Sequence, residues 1–172
     1  MFQLINSDLA RYIDGNENKS IAFLKTIYTN PSFLEIVWYR IGHSFWCRQK
    51  NPLMFILLFI NRVLYPFIRM YSMLELSPKV QIGEGLYIAH IGPTIIHHDV
   101  VIGKNLTILP GVIIGAAKTG VPTIGDNVTI GAGAVIIGKI NIGDNAIIGA
   151  NAVVTRDIPE GCTVVGIPAR LI

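Results

Sequence analysis

From Ile124 onward an aliphatic residue recurs every six positions, at Ile124, Ile130, Ile136, Ile142, Ile148 and Val154. Glycine follows it at Gly125, Gly131, Gly143 and Gly149. A second apolar residue stands four positions on, at Val128, Ala134, Ile140, Ala146 and Ala152. The same period appears earlier, at Ile82 and Ile88 and at Ile102, Ile108 and Ile114. An even period matches the in-and-out alternation of a strand and not the 3.6-residue turn of a helix. It predicts a short strand, a corner, and repetition, with glycine supplying unusual corner dihedrals. Three such strands close a coil of about 18 residues with the aliphatic residues stacked inside, a parallel β-helix. Residues 80–159 supply roughly four coils on that count. A β-sandwich is the competing reading, but its turns recur every 8–12 residues rather than every six.

The period breaks twice. Ile88 and Ile102 are 14 apart, two more than two repeats, and Ile114 and Ile124 are 10 apart, four more than one. Solenoids accept insertions at corners, often on the binding face. Residues 116–122 are therefore expected to project as a loop. His90, His97 and His98 all fall in the first interruption.

Residues 1–73 carry no hexad and read as an α-helical region, leaving 74–172 for the β-helix. Asn6 or Ser7 is positioned to cap a first helix over 8–13. Asn18-Lys19-Ser20 precedes a second over 21–28. Asn30-Pro31-Ser32 precedes a third over 33–48, with apolar residues at helical spacing. Lys50-Asn51-Pro52 then breaks the chain. Residues 53–70 follow, the most apolar stretch, interrupted by Asn61, Arg62 and Arg69. It is too interrupted for a confident span of about 20 apolar residues. A helix buried in the core or in an oligomer interface is one reading. An interfacial helix in peripheral contact with a membrane is the other, supported by Arg40, Arg48, Lys50, Arg62 and Arg69 beside apolar faces.

Composition sharpens this picture. Of the 172 residues 51% are hydrophobic and 15% charged, against about 25% charged in ordinary domains. Mean hydropathy is +0.52, which excludes disorder. All but two of the 17 glycines, Gly15 and Gly42, lie from Gly83 onward. A net charge of +3 with no dense Lys/Arg run speaks against nucleic acid as a partner. Two cysteines, Cys47 and Cys162, exclude a disulfide scaffold. They read as small buried residues of a reducing, cytoplasmic compartment, with the inner face of the membrane as the expected place of any contact.

Several segments resemble a known family: Gly-Glu-Gly-Leu-Tyr-Ile-Ala-His (83–90), Val-Pro-Thr-Ile-Gly-Asp-Asn-Val (121–128), Ile-Gly-Ala-Gly-Ala-Val-Ile-Ile-Gly (130–138), and Val-Val-Gly-Ile-Pro-Ala-Arg (164–170). They resemble the serine acetyltransferase branch of the hexapeptide acyltransferases. Asp8-Leu9-Ala10-Arg11-Tyr12 is a weaker match to that family's helical region. The chain is also similar to O-acetyltransferases of exopolysaccharide and capsule biosynthesis. The resemblance implies a left-handed β-helix, a homotrimer, and acetyl-CoA as acyl donor in the groove between neighbouring β-helices.

Acetyl transfer to a hydroxyl needs a base, an oxyanion donor and aligned reactants. The resemblance places the catalytic base at His90 and its orienting carboxylate at Glu75, three residues before Pro78. It places acetyl-CoA along Gly115-Ala116, Gly131-Ala132 and Gly149-Ala150, with Lys118, Arg156 and Arg170 as cations for its phosphates. A backbone N–H in the 111–115 stretch is the expected oxyanion donor. Three departures concern the acceptor. Ala89 stands where the family has the carboxylate for the serine amine. Gly120 and Val121 stand where it has an Arg-His pair. A zwitterion without opposite charges binds poorly, so a sugar or polysaccharide precursor is the expected acceptor, with His97 and His98 available to bond its hydroxyls. The competing readings are a serine O-acetyltransferase with an altered acceptor pocket, a metal-dependent hydratase using the histidines, and a non-catalytic trimeric scaffold. No metal is expected.

Overall fold

The computed structural model describes residues 1–13 and 18–172. Four helices come first: α1 (Phe2–Leu9), α2 (Lys19–Thr29), α3 (Pro31–Cys47) and α4 (Pro52–Ser72). Asn18 caps α2 by accepting from the Ser20 N–H, and Asn51 caps α4 by accepting from Leu53 and Met54. Pro31 and Pro52 open their helices, where a missing N–H costs little. The start of α1 differs from expectation: Asn6 and Ser7 lie inside it, and no side chain caps it. Ile5 and Leu9, one turn apart, are buried with Phe33 and Val37 of α3. Tertiary packing of an apolar face, rather than a cap, sets this helix.

Five turns of parallel β-solenoid follow, consistent with the left-handed hexapeptide coil. The first coil holds β1 (Leu74–Leu76), β2 (Gln81–Ile82) and β3 (Tyr87–Ile88). The second holds β4 (Thr94–Ile96), β5 (Val101–Ile102) and β6 (Thr107–Ile108). The third holds β7 (Ile113–Gly115), β8 (Thr123–Ile124) and β9 (Thr129–Ile130), and the fourth β10 (Val135–Ile137), β11 (Asn141–Ile142) and β12 (Ile147–Ile148). The fifth holds β13 (Val153–Val154) and β14 (Thr163–Val165), and β15 (Arg170–Leu171) folds back antiparallel onto β14. Equivalent strands stack into three parallel sheets. The solenoid thus begins at Leu74, one strand before the hexad becomes visible at residue 80.

The register explains the period. One buried column runs Leu76, Ile96, Ile114, Ile136, Val154 in the first sheet. A second runs Ile82, Ile102, Ile124, Ile142. A third runs Ile88, Ile108, Ile130, Ile148, Val164. Each coil therefore hides its aliphatic residues against the coils above and below. Corners are tight: a Cβ on Gly131 would meet the Ala150 nitrogen at 2.5 Å. Asn105, Asn127 and Asn145 take left-handed dihedrals at one corner and hydrogen-bond in a ladder along it, at 3.0 and 3.2 Å.

The first coil has no coil beneath it, so its backbone polar groups need other partners. Side chains of the helical region supply them. Tyr39 donates to the Val80 carbonyl, Arg40 to those of Ile82 and Gly83, and Arg11 to that of Gly85. The Tyr12 hydroxyl donates to the Ile88 carbonyl and accepts from the Ile88 N–H. Asp8 accepts from the Leu86 N–H at 2.8 Å and from Arg40 Nε at 2.8 Å and Nη2 at 3.0 Å. Asp8 and Arg40 are both fully shielded from solvent. Burial pushes the Tyr12 and Tyr39 hydroxyls well above the usual phenol range, so both stay neutral donors.

Two sequence expectations change here. Cys47 is exposed at the end of α3, its Sγ 3.5 Å from His43 Nε2, because the apolar face of α3 has already turned away; Cys162 is half-buried, and both are free. Glu35, in contrast, is completely buried on α3. Its Oε2 accepts from Ser72 at 3.0 Å, and its Oε1 has no partner. Desolvation pushes its pKa up from 4.5 to about 7, against the opposing pull of Ser72, Tyr65 and Arg69.

Two outcomes are expected. Asp8→Ala leaves the buried Arg40 charge without a counter-ion and the Leu86 N–H unpaired, and lowers unfolding free energy by about 3–5 kcal/mol in urea titration. Glu35 is an acid whose folded pKa is raised, so the folded state holds its proton longer. Its stabilisation is complete below pH 4.5 and is lost as pH rises to about 7, a loss on the order of 3 kcal/mol. Urea titrations at pH 5 and pH 8 should show that fall, and Glu35→Gln should flatten it.

Candidate active site

α4 packs on α3, bonds the open edge of β1 through Tyr65, which accepts from the Leu76 N–H at 2.9 Å, and leaves a cavity of about 570 Å³ beside the first sheet. Glu75 of β1, His97, His98 and Gly115 all line this cavity. So do three cations that sequence patterning did not connect with a site: Arg62 and Arg69 from α4, and Lys79. Arg69 Nη2 lies 2.6 Å from Glu75 Oε2. No hydrogen bond or ion pair joins Glu75 to His90 among the described residues. The expected carboxylate–histidine contact is therefore not made in the single chain, because Glu75 is held by Arg69.

The candidate residues sort onto two corner edges that flank the first sheet. His90 lies on the edge where the third sheet turns into the first. Gly131-Ala132 and Gly149-Ala150 lie on that same edge in higher coils, with Gly131 packed directly against Ala150. His97 and His98 lie on the opposite edge, where the first sheet turns into the second, together with Gly115-Ala116 and Lys118. The first interruption in the hexad thus spans two corners rather than one. Glu75, at the middle of β1, sits between the edges.

His90 is exposed and takes φ of 60°. That left-handed conformation costs a histidine on the order of 1 kcal/mol and tends to occur at functional sites. Its carbonyl accepts from Ser32 Oγ at 2.6 Å, which ties this corner to the start of α3. The preceding residue, Ala89, is half-buried and donates its N–H to Ile108 in the coil above. On the other edge the His97 and His98 rings stack at 4.2 Å. His97 Nδ1 accepts from the Asp99 N–H at 3.3 Å, so a neutral His97 carries its proton on Nε2. His98 Nε2 lies 3.2 Å from the Asp99 carboxylate. The ligand atoms of His97, His98 and Asp99 fall within 4.8 Å of one another, on a largely exposed turn.

The 116–122 segment, expected as a projecting loop, contains a tight turn. Ala117 and Gly120 bond each other's backbones in a two-residue hairpin, with Lys118 and Thr119 exposed at its tip. Within the 111–115 stretch the Ile113 N–H is spent on the Ala134 carbonyl, which removes it as an oxyanion donor. Farther along, Arg156 and Arg170 line one cavity of about 170 Å³ at the C-terminal end. Fourteen positions apart in sequence, they meet because β15 folds back onto β14.

Residues 122–156 match the model of the bacterial transferase hexapeptide family, six repeats. The chain is 35% identical over 176 aligned positions to the serine acetyltransferase of Synechococcus elongatus, covering all of this chain and 69% of that one. The chain belongs to the serine acetyltransferase family. A serine acetyltransferase from Neisseria gonorrhoeae, solved in complex with serine, superposes with a TM-score of 0.80 at 30% identity, over 99% of this chain and 68% of that one. A serine acetyltransferase in complex with CoA superposes with a TM-score of 0.82 at 28% identity, with the same coverage. The expected likeness to exopolysaccharide enzymes finds no support among these relatives.

Within the serine acetyltransferase family frame, Tyr12 and Arg11 of the weaker N-terminal match gain a role that their spacing did not disclose. They bond Gly85 and Ile88, at the underside of the segment that leads to His90. Ser32 does the same for the His90 corner itself. Ser32→Ala should leave the His90 carbonyl unpaired and cost about 1–3 kcal/mol of stability by thermal or urea unfolding. Ser32→Thr, which keeps the hydroxyl, should recover most of that loss.

Proposed function

We propose that this protein acetylates the hydroxyl of L-serine, through an acceptor pocket that differs from its relatives'. The chain is an acetyl-CoA-dependent O-acetyltransferase. Full-length similarity to serine acetyltransferases supports the acceptor assignment. The observation that carries it is the charge in the cavity over the first sheet. Arg62, Arg69 and Lys79 gather there, and cations in a partly enclosed site hold a carboxylate. They stand in for the loop cation absent at Gly120.

In this reading His90 takes the hydroxyl proton as the oxygen attacks the thioester carbonyl. The C–S bond breaks, and the CoA thiolate leaves and is protonated. Glu75 stabilises the charged imidazole once it exchanges Arg69 for His90, and a substrate carboxylate drawn to Arg69 favours that exchange. Gly131-Ala132 and Gly149-Ala150 present small residues along the His90 edge for the pantetheine arm. Arg156 and Arg170 supply paired positive charge for phosphate. A homotrimer, in which the His90 edge of one copy faces the His97 edge of the next, brings the two sets of residues to one groove.

A second reading has one observation in its favour. Ala89 offers no carboxylate to an ammonium group, which suits a neutral sugar hydroxyl hydrogen-bonded by His97 and His98.

The test is CoA release from acetyl-CoA with L-serine, ethanolamine and a panel of hexoses and N-acetylhexosamines. L-serine should be the best acceptor, and ethanolamine, which lacks the carboxylate, should fall at least tenfold in kcat/KM. A sugar that outperforms serine overturns the serine reading and leaves the acetyltransferase standing. His90→Ala should lower kcat by about 10²–10⁴. Glu75→Gln should lower kcat more than it raises KM.

A further inference from the structure

α4 buries only its narrow inner face. Leu58, Asn61 and Ser72 pack inward, and just 11% of its most apolar stretch is covered. A buried core helix is thereby ruled out for residues 53–70. The rest of the helix presents Phe55, Phe59, Val63, Phe67, Met70 and Tyr71 to solvent, with Phe67 69% and Met70 81% exposed. At 3.6 residues per turn these positions, with Leu53, Ile56, Ile60 and Leu64 among them, cover about half the circumference. Charge is absent from that arc. It lies on the borders: Arg62 and Arg69 along one flank, and Arg48 and Lys50, all exposed, before the N-terminus. α4 contains no acidic residue.

We infer that this face of α4 lies on an anionic lipid bilayer, in its plane, as an interfacial anchor. Three observations favour lipid over a second copy of the chain. The apolar arc is continuous and carries one polar atom, the Tyr71 hydroxyl, whereas a protein interface of this size carries many hydrogen bonds. Every charge at the border is basic, matching anionic headgroups, and a second copy brings the same basic border with no acid on α4 to meet it. The long arginine side chains at the flank reach from an apolar surface to headgroup level. The helix lies flat rather than spanning, because its inner face stays packed on α3 and its last residue is followed directly by Met73 and β1. Pro66 and Arg69 belong both to the border of this face and to the cavity over the first sheet. A membrane-bound protein would therefore open its candidate site at the headgroup layer.

The test is flotation of the full chain with vesicles of phosphatidylcholine alone or with 30% phosphatidylglycerol. Wild type should float with the anionic vesicles, several-fold less with neutral ones, and lose flotation as salt rises. The double variant Phe59→Glu/Phe67→Glu should lose flotation at least tenfold while keeping its thermal midpoint, since both side chains are exposed. Arg48→Ser/Lys50→Ser should reduce flotation on anionic vesicles alone. Wild type that stays at the bottom with both vesicle types overturns the inference. So does a wild type whose mass by light scattering falls by half in Phe59→Glu/Phe67→Glu with flotation unchanged, which assigns the face to a second copy. Equal flotation on both vesicle types overturns the choice of an anionic surface.

Discussion

The buried pair of Asp8 and Arg40 holds the molecule's two halves together. A β-solenoid satisfies each coil's backbone with the next coil, which leaves the first coil open along its lower rim. Arg40 reaches two carbonyls of that rim, and Asp8 reaches an N–H of it. Neither charge would tolerate burial alone. Each neutralises the other while both bond the solenoid, so helices and coils cannot separate without stranding a charge. Tyr12, Tyr39, Arg11 and Ser32 complete the rim. The helical region is in this sense a lid fitted to one particular set of exposed backbone groups.

That fit has a direct bearing on the chemistry. His90 stands at the corner where the lid meets the coil, in a backbone conformation that a histidine does not prefer. Its position is over-determined from below by Ser32 and Tyr12 and from above by the second coil. The cavity beside Glu75 is likewise built half from α4 and half from the first sheet. The candidate site therefore depends on the helices as much as on the repeats, although the repeats carry the recognisable motifs.

The solenoid was readable because its physics is periodic: an inward aliphatic side chain on each strand and a tight corner, repeated with two insertions. Within the first coil only β1 lies outside the period, because it begins without the corner glycine, and Leu74 and Leu76 look like any apolar pair. In the helical half, Asn18, Asn30 and Asn51 marked helix starts well, since prolines or caps act locally. Asn6 and Ser7 misled, because burial of Ile5 and Leu9 against α3 is a distant interaction. His90 stood out through its motif, and the structure adds its left-handed corner conformation. The cations of the cavity did not, since Arg62 and Arg69 meet Lys79 and Glu75 only through the packing of α4 beside β1. Cys47 and Glu35 show the same limit from both sides, an apolar residue left outside and an acid drawn in.

Stacked coils rise by about 4.8 Å each. His90 belongs to the first coil and Arg156 to the fifth. The number of repeats therefore acts as a ruler, holding His90 and Arg156 about 19 Å apart along the axis. Inserting or deleting one complete coil between them would leave every stacking contact intact in kind. It would nonetheless change that separation by one coil rise, so the count of repeats sets a distance that no single contact in the solenoid fixes.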